Sequence, residues 1–247
     1  MRFLGLDEAK LINLIHPALM ISQSNYFVKI VNHELALHVI KSKDAVSTLE
    51  LMILKRARLY FIGYGAGTIE ATVGHELIQN HLTITSAESL TCGLFQSSLG
   101  AIPGISSVFS GGFVTYSNFV KHQLLSIPMR IIDGHGVVSQ ATAIWMAKQA
   151  QSILHTDLAV SFTGVAGPDS LEGQPSGTVW IGFAHFHHCI ARLYHLRHGC
   201  QELLQADPNV TSATSDGTVQ RNLIRRLAVK MGFKMIYDGL KSDGISN

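Results

Sequence analysis

Charge is scarce in this 247-residue chain: Asp, Glu, Lys and Arg make up 15% of it, and the formal net charge is +2. No polybasic run supplies the cations that binding to a phosphate backbone requires, so nucleic acid is not an expected partner. Cysteine is scarce too. Cys92, Cys189 and Cys200 are odd in number and lack metal-ligand spacing, so free thiols are expected. No run approaches the ~20 apolar residues that cross a bilayer, so no spanning helix and no membrane partner are expected. The opening MRFLGLDEAKLINLIHPALM has an apolar face, but Asp7, Glu8 and Lys10 interrupt it, and it lacks the small-residue cleavage site of a secretory signal. A cytoplasmic location is the resulting expectation. What is abundant is apolar: 47% of the residues are hydrophobic, enough for a substantial core at this length.

Two regions of different grain follow along the chain. Leu11, Leu14, Ile15 and Leu19 recur at helical spacing, and NYFVKIV and ELALHVI then alternate like two strands around a short polar turn. KDAVSTLELMILKRA reads as a second helix and LYFI as a strand, completing a small α+β domain over residues 1–65. GYGAG follows that strand and precedes a helix, which invites comparison with a nucleotide loop. Thr68 stands where the fingerprint needs its third glycine, so the stretch reads as a linker with Thr68 capping the next helix. From residue 66 to 247 strands and helices alternate: LTIT (82–85), a helix after Ser89, GGFVTYS (111–117), a helix from about 139 to 155, DLAVSFTG (157–164) and GTVWIGFAHF (177–186). This pattern predicts a three-layer α/β/α domain, and HCIARLYHLRH returning at once predicts an antiparallel hairpin and hence a mixed sheet. Residues 218–240 read as a closing amphipathic helix. Between them, polar residues near 201–217 read as a surface insertion.

SAESLTCG, at 86–93, joins a buried strand to a helix. Residues at such a corner project into the crevice where α/β proteins hold ligands, and the first amides of the helix are unpaired donors. Ser89 sits at that mouth, either as a helix cap or as a reactive hydroxyl. Glu88 is an acid near a helix start, favoured there by the helix dipole or available to ribose hydroxyls. TGVAG, at 163–167, ends a strand in small residues that let backbone amides approach an anion.

Several blocks match one family in order and spacing. AESLTCG resembles the AESCTGG signature of the CinA carboxy-terminal domain. GGFVTYSNFVKHQLLSI (111–127), HGVVS (135–139), TGVAGPDS (163–170) and PSGTVWIGFA (175–184) resemble its further blocks. Residues 1–65 are similar to the middle domain of full-length members. The resemblance implies a nicotinamide-nucleotide amidase: hydrolysis of nicotinamide mononucleotide to nicotinic acid mononucleotide and ammonia, with no cofactor and no metal. Ser89 is then the nucleophile, Lys121 the base, and Tyr116 a proton relay or orienting group. Glu88, Thr91, Gly93, Ser117, Asn118, Thr163, Gly164, Ala166, Gly167, Arg221 and Arg225 are the implied substrate contacts. The partner is the small nucleotide, together with other copies of the chain in a homo-oligomer.

Three points stay open in the sequence. Ser117 stands four residues before Lys121 and would share a helical face with it, so it is a rival nucleophile. Leu90, Cys92 and Gln174 depart from the family pattern, and Cys92 replaces a glycine where a left-handed backbone is more comfortable without a side chain. A member that binds the nucleotide without turnover is therefore the alternative reading. His185, His187, His188, His195 and His198 cluster, but no carboxylate or cysteine partner stands at ligand spacing.

Overall fold

In a computed structural model of the chain, residues 1–40, 43–65, 67–197 and 217–242 are described below. Their contacts divide into two units, Met1–Ile69 and Glu70–Asn247. The sequence expectations for the polar insertion, Cys200 and His198 fall outside the described residues.

In the first unit, β1 (Arg2–Phe3), α1 (Glu8–Ser22), β2 (Asn25–Val31), β3 (Glu34–Ile40), α2 (Lys43–Ala57) and β4 (Phe61–Gly63) follow in order. Asp7 caps α1, its carboxylate accepting the Lys10 amide at 2.6 Å. Asn32 and His33 both take positive φ, 51° and 63°, and this two-residue turn closes the β2–β3 hairpin with Val31 opposite Glu34. The sheet order is β2-β3-β1-β4. Phe3, Leu11, Ile15, Leu35, Leu37, Leu49 and Ile53 fill the core between sheet and helices. Within it lies an ion pair, Arg2 to Glu34 at 3.1 Å.

The second unit is a three-layer α/β structure. Its elements are α3 (Ile69–Gln79), β5 (Ile84–Glu88), α4 (Leu94–Gly100), β6 (Phe113–Val114), α5 (Asn118–Leu125), α6 (Met129–His135), α7 (Gln140–Leu154), β7 (Leu158–Gly164), β8 (Thr178–His185), β9 (His188–His195) and α8 (Gly217–Ser242). The sheet order is β6-β5-β7-β8-β9: β5 runs parallel to β6 and β7, whereas β7–β8 and β8–β9 are antiparallel. The sheet is mixed, as the returning strand after residue 187 predicts.

Both faces of β7 are covered. On one, Ser161 donates to Ala143 O of α7 at 2.6 Å, and Gly182 beside it leaves no room for a side chain against the same carbonyl. On the other, Val160 and Phe162 meet α8 at Gly232, where a Cβ would strike the Phe162 ring. Small residues thus set how closely each helix can lie on the sheet.

Two expectations are corrected. GGFVTYS forms a strand only at Phe113–Val114, because the chain then bends to let Ser117 cap α5. The closing helix is enclosed rather than amphipathic: residues from Leu227 to Tyr237 are almost continuously buried. Its buried lysines are paired, Lys230 with Glu70 at 3.0 Å and Lys234 with Asp238 at 2.7 Å. Among the described residues no helix is long and apolar enough to cross a membrane.

Candidate active site

The carboxyl ends of the parallel strands β5, β6 and β7 share one edge of the sheet, and the SAESLTCG corner lies there. The Ser89 amide donates to Phe162 O at 2.9 Å, which ties the corner to the end of β7. Helix α4 begins only at Leu94, so five residues separate strand and helix. Cys92 and Gly93 turn the chain with φ of 50° and 86°. The glycine does so freely. The cysteine takes the left-handed conformation at a cost of about 1 kcal/mol.

Glu88 explains how the corner holds together. It is fully buried, and its two carboxylate oxygens accept the amides of Phe95 at 3.1 Å and Gln96 at 2.9 Å. Those are amides that a helix start leaves unpaired, and the carboxylate also meets the positive end of the helix dipole. The structure thus places Glu88, expected from the sequence as a substrate contact, inside the corner with both of its oxygens accepting from α4.

Lys121 reaches the corner from α5. Ser117 caps that helix, its hydroxyl accepting the Val120 amide at 3.2 Å, and Lys121 follows one turn later with no exposed surface. Its Nζ lies 3.1 Å from Ser89 Oγ, 2.9 Å from Thr115 O and 3.3 Å from Tyr116 O. Burial pulls its pKa from the usual 10.5 to about 8, and the Glu172 carboxylate opposes that shift in part. A neutral amine fits these three neighbours. Its two N–H groups satisfy the two carbonyls, and its lone pair is left to accept the Ser89 hydroxyl proton. Ser117 is exposed and occupied as a cap, so the amine meets Ser89 and not the rival serine.

The other candidates separate into two groups. Tyr116 is exposed, and its hydroxyl accepts from Arg221 Nη2 at 2.7 Å rather than meeting the amine. Arg221 also stands beside Gly167, where its Nη1 would lie 3.4 Å from a Cβ. Among the described residues the Ala166 and Gly167 amides donate no hydrogen bond. Arg221 and the Gly167 backbone therefore lie side by side beyond the end of β7. Thr163, Gly164 and Arg225, by contrast, are spent within the fold. Thr163 Oγ1 donates to Val137 O at 2.6 Å, and Gly164 packs against Thr178 O, where a Cβ would come within 2.6 Å. Arg225 donates to Leu90 O at 3.0 Å, to Thr91 O at 2.8 Å and to Asn222 Oδ1 at 3.2 Å.

Thr91 is fully buried, and its hydroxyl has no partner among the described residues. Asn118 lines a cavity of about 540 Å³ with Ile132, Asp133, His135, Gly136, Val138, Glu172 and Gln174. Sequence reasoning missed Asp133 and Glu172. The available signal was LEGQ, a tight turn with Glu172 and Gly173 at positive φ, whose carboxylate accepts the Val137 amide at 2.7 Å. Of the histidines, His185 and His188 face each other across the β8–β9 hairpin. Among the described residues no group of three or more His, Cys, Asp or Glu is placed to hold a metal.

Fold and site together define a three-layer α/β protein with a buried serine–lysine pair at the carboxyl edge of its parallel strands. Comparison with known proteins gives that class its family. Residues 66–209 match the CinA C-terminal domain, and the chain belongs to the CinA family. A competence-damage inducible protein of Lactiplantibacillus plantarum is 41% identical over 213 residues, which cover 82% of this chain and 51% of that protein. Its counterpart in Listeria innocua is 36% identical over 245 residues, covering 96% of this chain and 54% of that protein. The chain thus spans about half the length of the curated relatives it matches. Among solved structures, a competence/damage inducible protein from Agrobacterium tumefaciens aligns with a TM-score of 0.56 and 26% identity, over 71% of this chain and 98% of that one. One from Klebsiella pneumoniae aligns with a TM-score of 0.57 at 21% identity, over 71% of this chain and 98% of that one, a likeness of fold.

Proposed function

We propose that this chain hydrolyses the carboxamide of nicotinamide mononucleotide, giving nicotinic acid mononucleotide and ammonia. The observation that carries the reading is the buried Lys121 amine, 3.1 Å from Ser89 Oγ and brought to a pKa of about 8. At pH 7.5 roughly a quarter of such an amine is neutral, enough to act as a base. The resemblance of AESLTCG and YSNFVK to the CinA amidase blocks supplies the substrate.

In the reaction Ser89 Oγ attacks the carboxamide carbon while its proton passes to Lys121 Nζ, and the carbonyl electrons move onto oxygen. Collapse of that intermediate breaks the carbon–nitrogen bond. Lys121 returns its proton to the departing nitrogen, which leaves as ammonia. Water then gives a proton to the neutral amine and attacks the Ser89 ester; the acid leaves, and Ser89 recovers its proton from Lys121. The pyridinium charge of the substrate favours neutral Lys121 further. Arg221 with the Ala166 and Gly167 amides binds the phosphate, and Asn118 borders the cavity that takes the rest of the nucleotide. Tyr116 positions Arg221 and, through its carbonyl, the base. The remaining parts of the reading are a cytoplasmic homo-oligomer and a middle-type domain over residues 1–65.

Ammonia release from nicotinamide mononucleotide tests this directly. Wild type and Ser117→Ala turn over, whereas Ser89→Ala and Lys121→Ala do not. Tight binding of the nucleotide without turnover, unchanged by Ser89→Ala, would instead establish a binding module. Activity lost only in Ser117→Ala would move the nucleophile.

A further inference from the structure

Amide hydrolysis develops negative charge on the carbonyl oxygen, and hydrogen-bond donors fixed in advance for that charge contribute much of the catalysis. Most amides of the corner are already spent. Ser89 N–H is spent on Phe162 O, Cys92 N–H on Ser89 O at 3.1 Å and Leu94 N–H on Thr91 O at 3.2 Å. The Phe95 and Gln96 amides are taken by Glu88; the Gly93 amide at the N-cap of α4 donates to no acceptor among the described residues but stands four residues beyond the nucleophile. Among the described residues the Leu90 and Thr91 amides, the two that directly follow the nucleophile, donate to no acceptor. Thr91 Oγ1, fully buried, is unpartnered as well. Buried polar groups are nearly always paired, so an unpaired set beside a reactive hydroxyl calls for a ligand.

The direction of the Thr91 amide is set by Arg225. Its Nε and Nη2 hold the carbonyls of Leu90 and Thr91 at 3.0 and 2.8 Å, drawing both towards α8. A trans peptide places its N–H opposite its C=O. Holding Leu90 O therefore turns the Thr91 N–H away from α8. In the same way, the Ser89 carbonyl, directed into the turn at Cys92, sends the Leu90 N–H out of it.

We propose that the Leu90 and Thr91 amides bind the developing oxyanion and that Arg225 is the positioning residue that aims the Thr91 amide. This rests on the amidase reading above and gives its corner a second task. Ser89 supplies the nucleophile, the next two residues receive the charge, and a guanidinium on the far side fixes the plane that carries the Thr91 N–H. The phosphate is then left to Arg221 and the TGVAG amides, so the paired arginines of α8 serve opposite ends of the substrate.

The test separates positioning from phosphate binding. With nicotinamide mononucleotide, Arg225→Gln lowers kcat by ~10²–10³-fold, the loss typical of a misplaced oxyanion donor. KM changes little, and binding of nicotinic acid mononucleotide, which carries the same phosphate, stays within threefold of wild type. Arg225→Lys, able to hold one carbonyl, recovers part of kcat. Incorporating the α-hydroxy acid analogue of leucine at position 90 deletes that N–H alone and lowers kcat by a similar factor; this arm decides the matter if Arg225→Gln does not fold. A raised KM and weakened product binding with kcat preserved in Arg225→Gln, or kcat within threefold of wild type in the position-90 ester, overturns the proposal. Wild type that releases no ammonia overturns the amidase reading instead.

Discussion

Two buried cations, one in each unit, have been given opposite solutions to the same problem. Arg2 in the first unit is almost fully buried and lies 3.1 Å from the Glu34 carboxylate, whose other oxygen accepts the Ile69 amide at 2.9 Å. Its charge is retained and neutralised. Lys121 in the second unit is more deeply buried and has no carboxylate within salt-bridge distance among the described residues; it meets two carbonyls and a hydroxyl. Its proton is the cheaper thing to lose. A guanidinium cannot make that choice at any ordinary pH, whereas an amine can. The difference teaches where to look for chemistry: a paired buried charge holds a fold together, and an unpaired buried base exchanges protons.

Removing either cation breaks the comparison in a different observable, and activity should show the largest effect. Lys121→Ala lowers kcat by ~10⁴-fold or more, the scale seen when one member of a nucleophile–base unit is deleted. Steady-state ammonia release measures it. Arg2→Met leaves turnover chemistry untouched and acts on stability instead. Glu34 then stands as a buried carboxylate without its cation, a cost of about 3–5 kcal/mol in denaturant unfolding. Adding Glu34→Gln recovers part of that loss. If Arg2→Met cost no more than a surface change, the contrast drawn here would fail.

The comparison also has a pH signature. The folded pKa of Lys121, about 8, lies below its ordinary 10.5, so between these values the unfolded chain binds the extra proton. Stability therefore rises with pH from about 8 to 10.5, and the lysine contributes its full penalty below that window. Wild type should show this slope and Lys121→Met should lose it, by up to about 3 kcal/mol across the window. Ammonia release rises around the lower end of that window, because the base must be neutral, giving an ascending limb in kcat/KM with a midpoint near 8. A flat profile through pH 8 would mean that this amine is not the base.

Much of this was legible in the sequence, for identifiable reasons. The strand and helix order of the second unit follows from apolar runs separated by turn residues, and the antiparallel return after residue 187 follows from the brevity of the β8–β9 connection. Ser89 and Lys121 were found because a family pattern ties together residues thirty-two apart, which no local periodicity does. What stayed hidden was how polar atoms are spent. Nothing in AESLTCG tells that Glu88 reaches forward seven residues to cap α4, and nothing in RNLIRR tells which arginine turns inward to the Leu90 and Thr91 carbonyls. Those assignments depend on side-chain direction across elements distant in sequence. The enclosure of Lys230 was missed for the same reason, because its partner Glu70 lies on a distant helix; Lys234 and Asp238 are an i,i+4 pair on one helix, which spacing alone could have shown.

The smallest effect concerns the left-handed residues that both units use. In the β2–β3 turn, Asn32 takes φ 51°, a conformation that its short polar side chain tolerates. At the corner Cys92 takes φ 50° with neither that tolerance nor the freedom of glycine. Cys92→Gly relieves about 1 kcal/mol of backbone strain and loses part of it to the greater freedom of glycine in the unfolded chain. The net expectation is a gain of about 0.5 kcal/mol in denaturant unfolding, with ammonia release within threefold of wild type. The Cys92 side chain is exposed, so no packing is lost to obscure the result. Loss of stability instead would mean that the cysteine side chain supports the corner, and that the departure from glycine is built into this protein rather than endured by it.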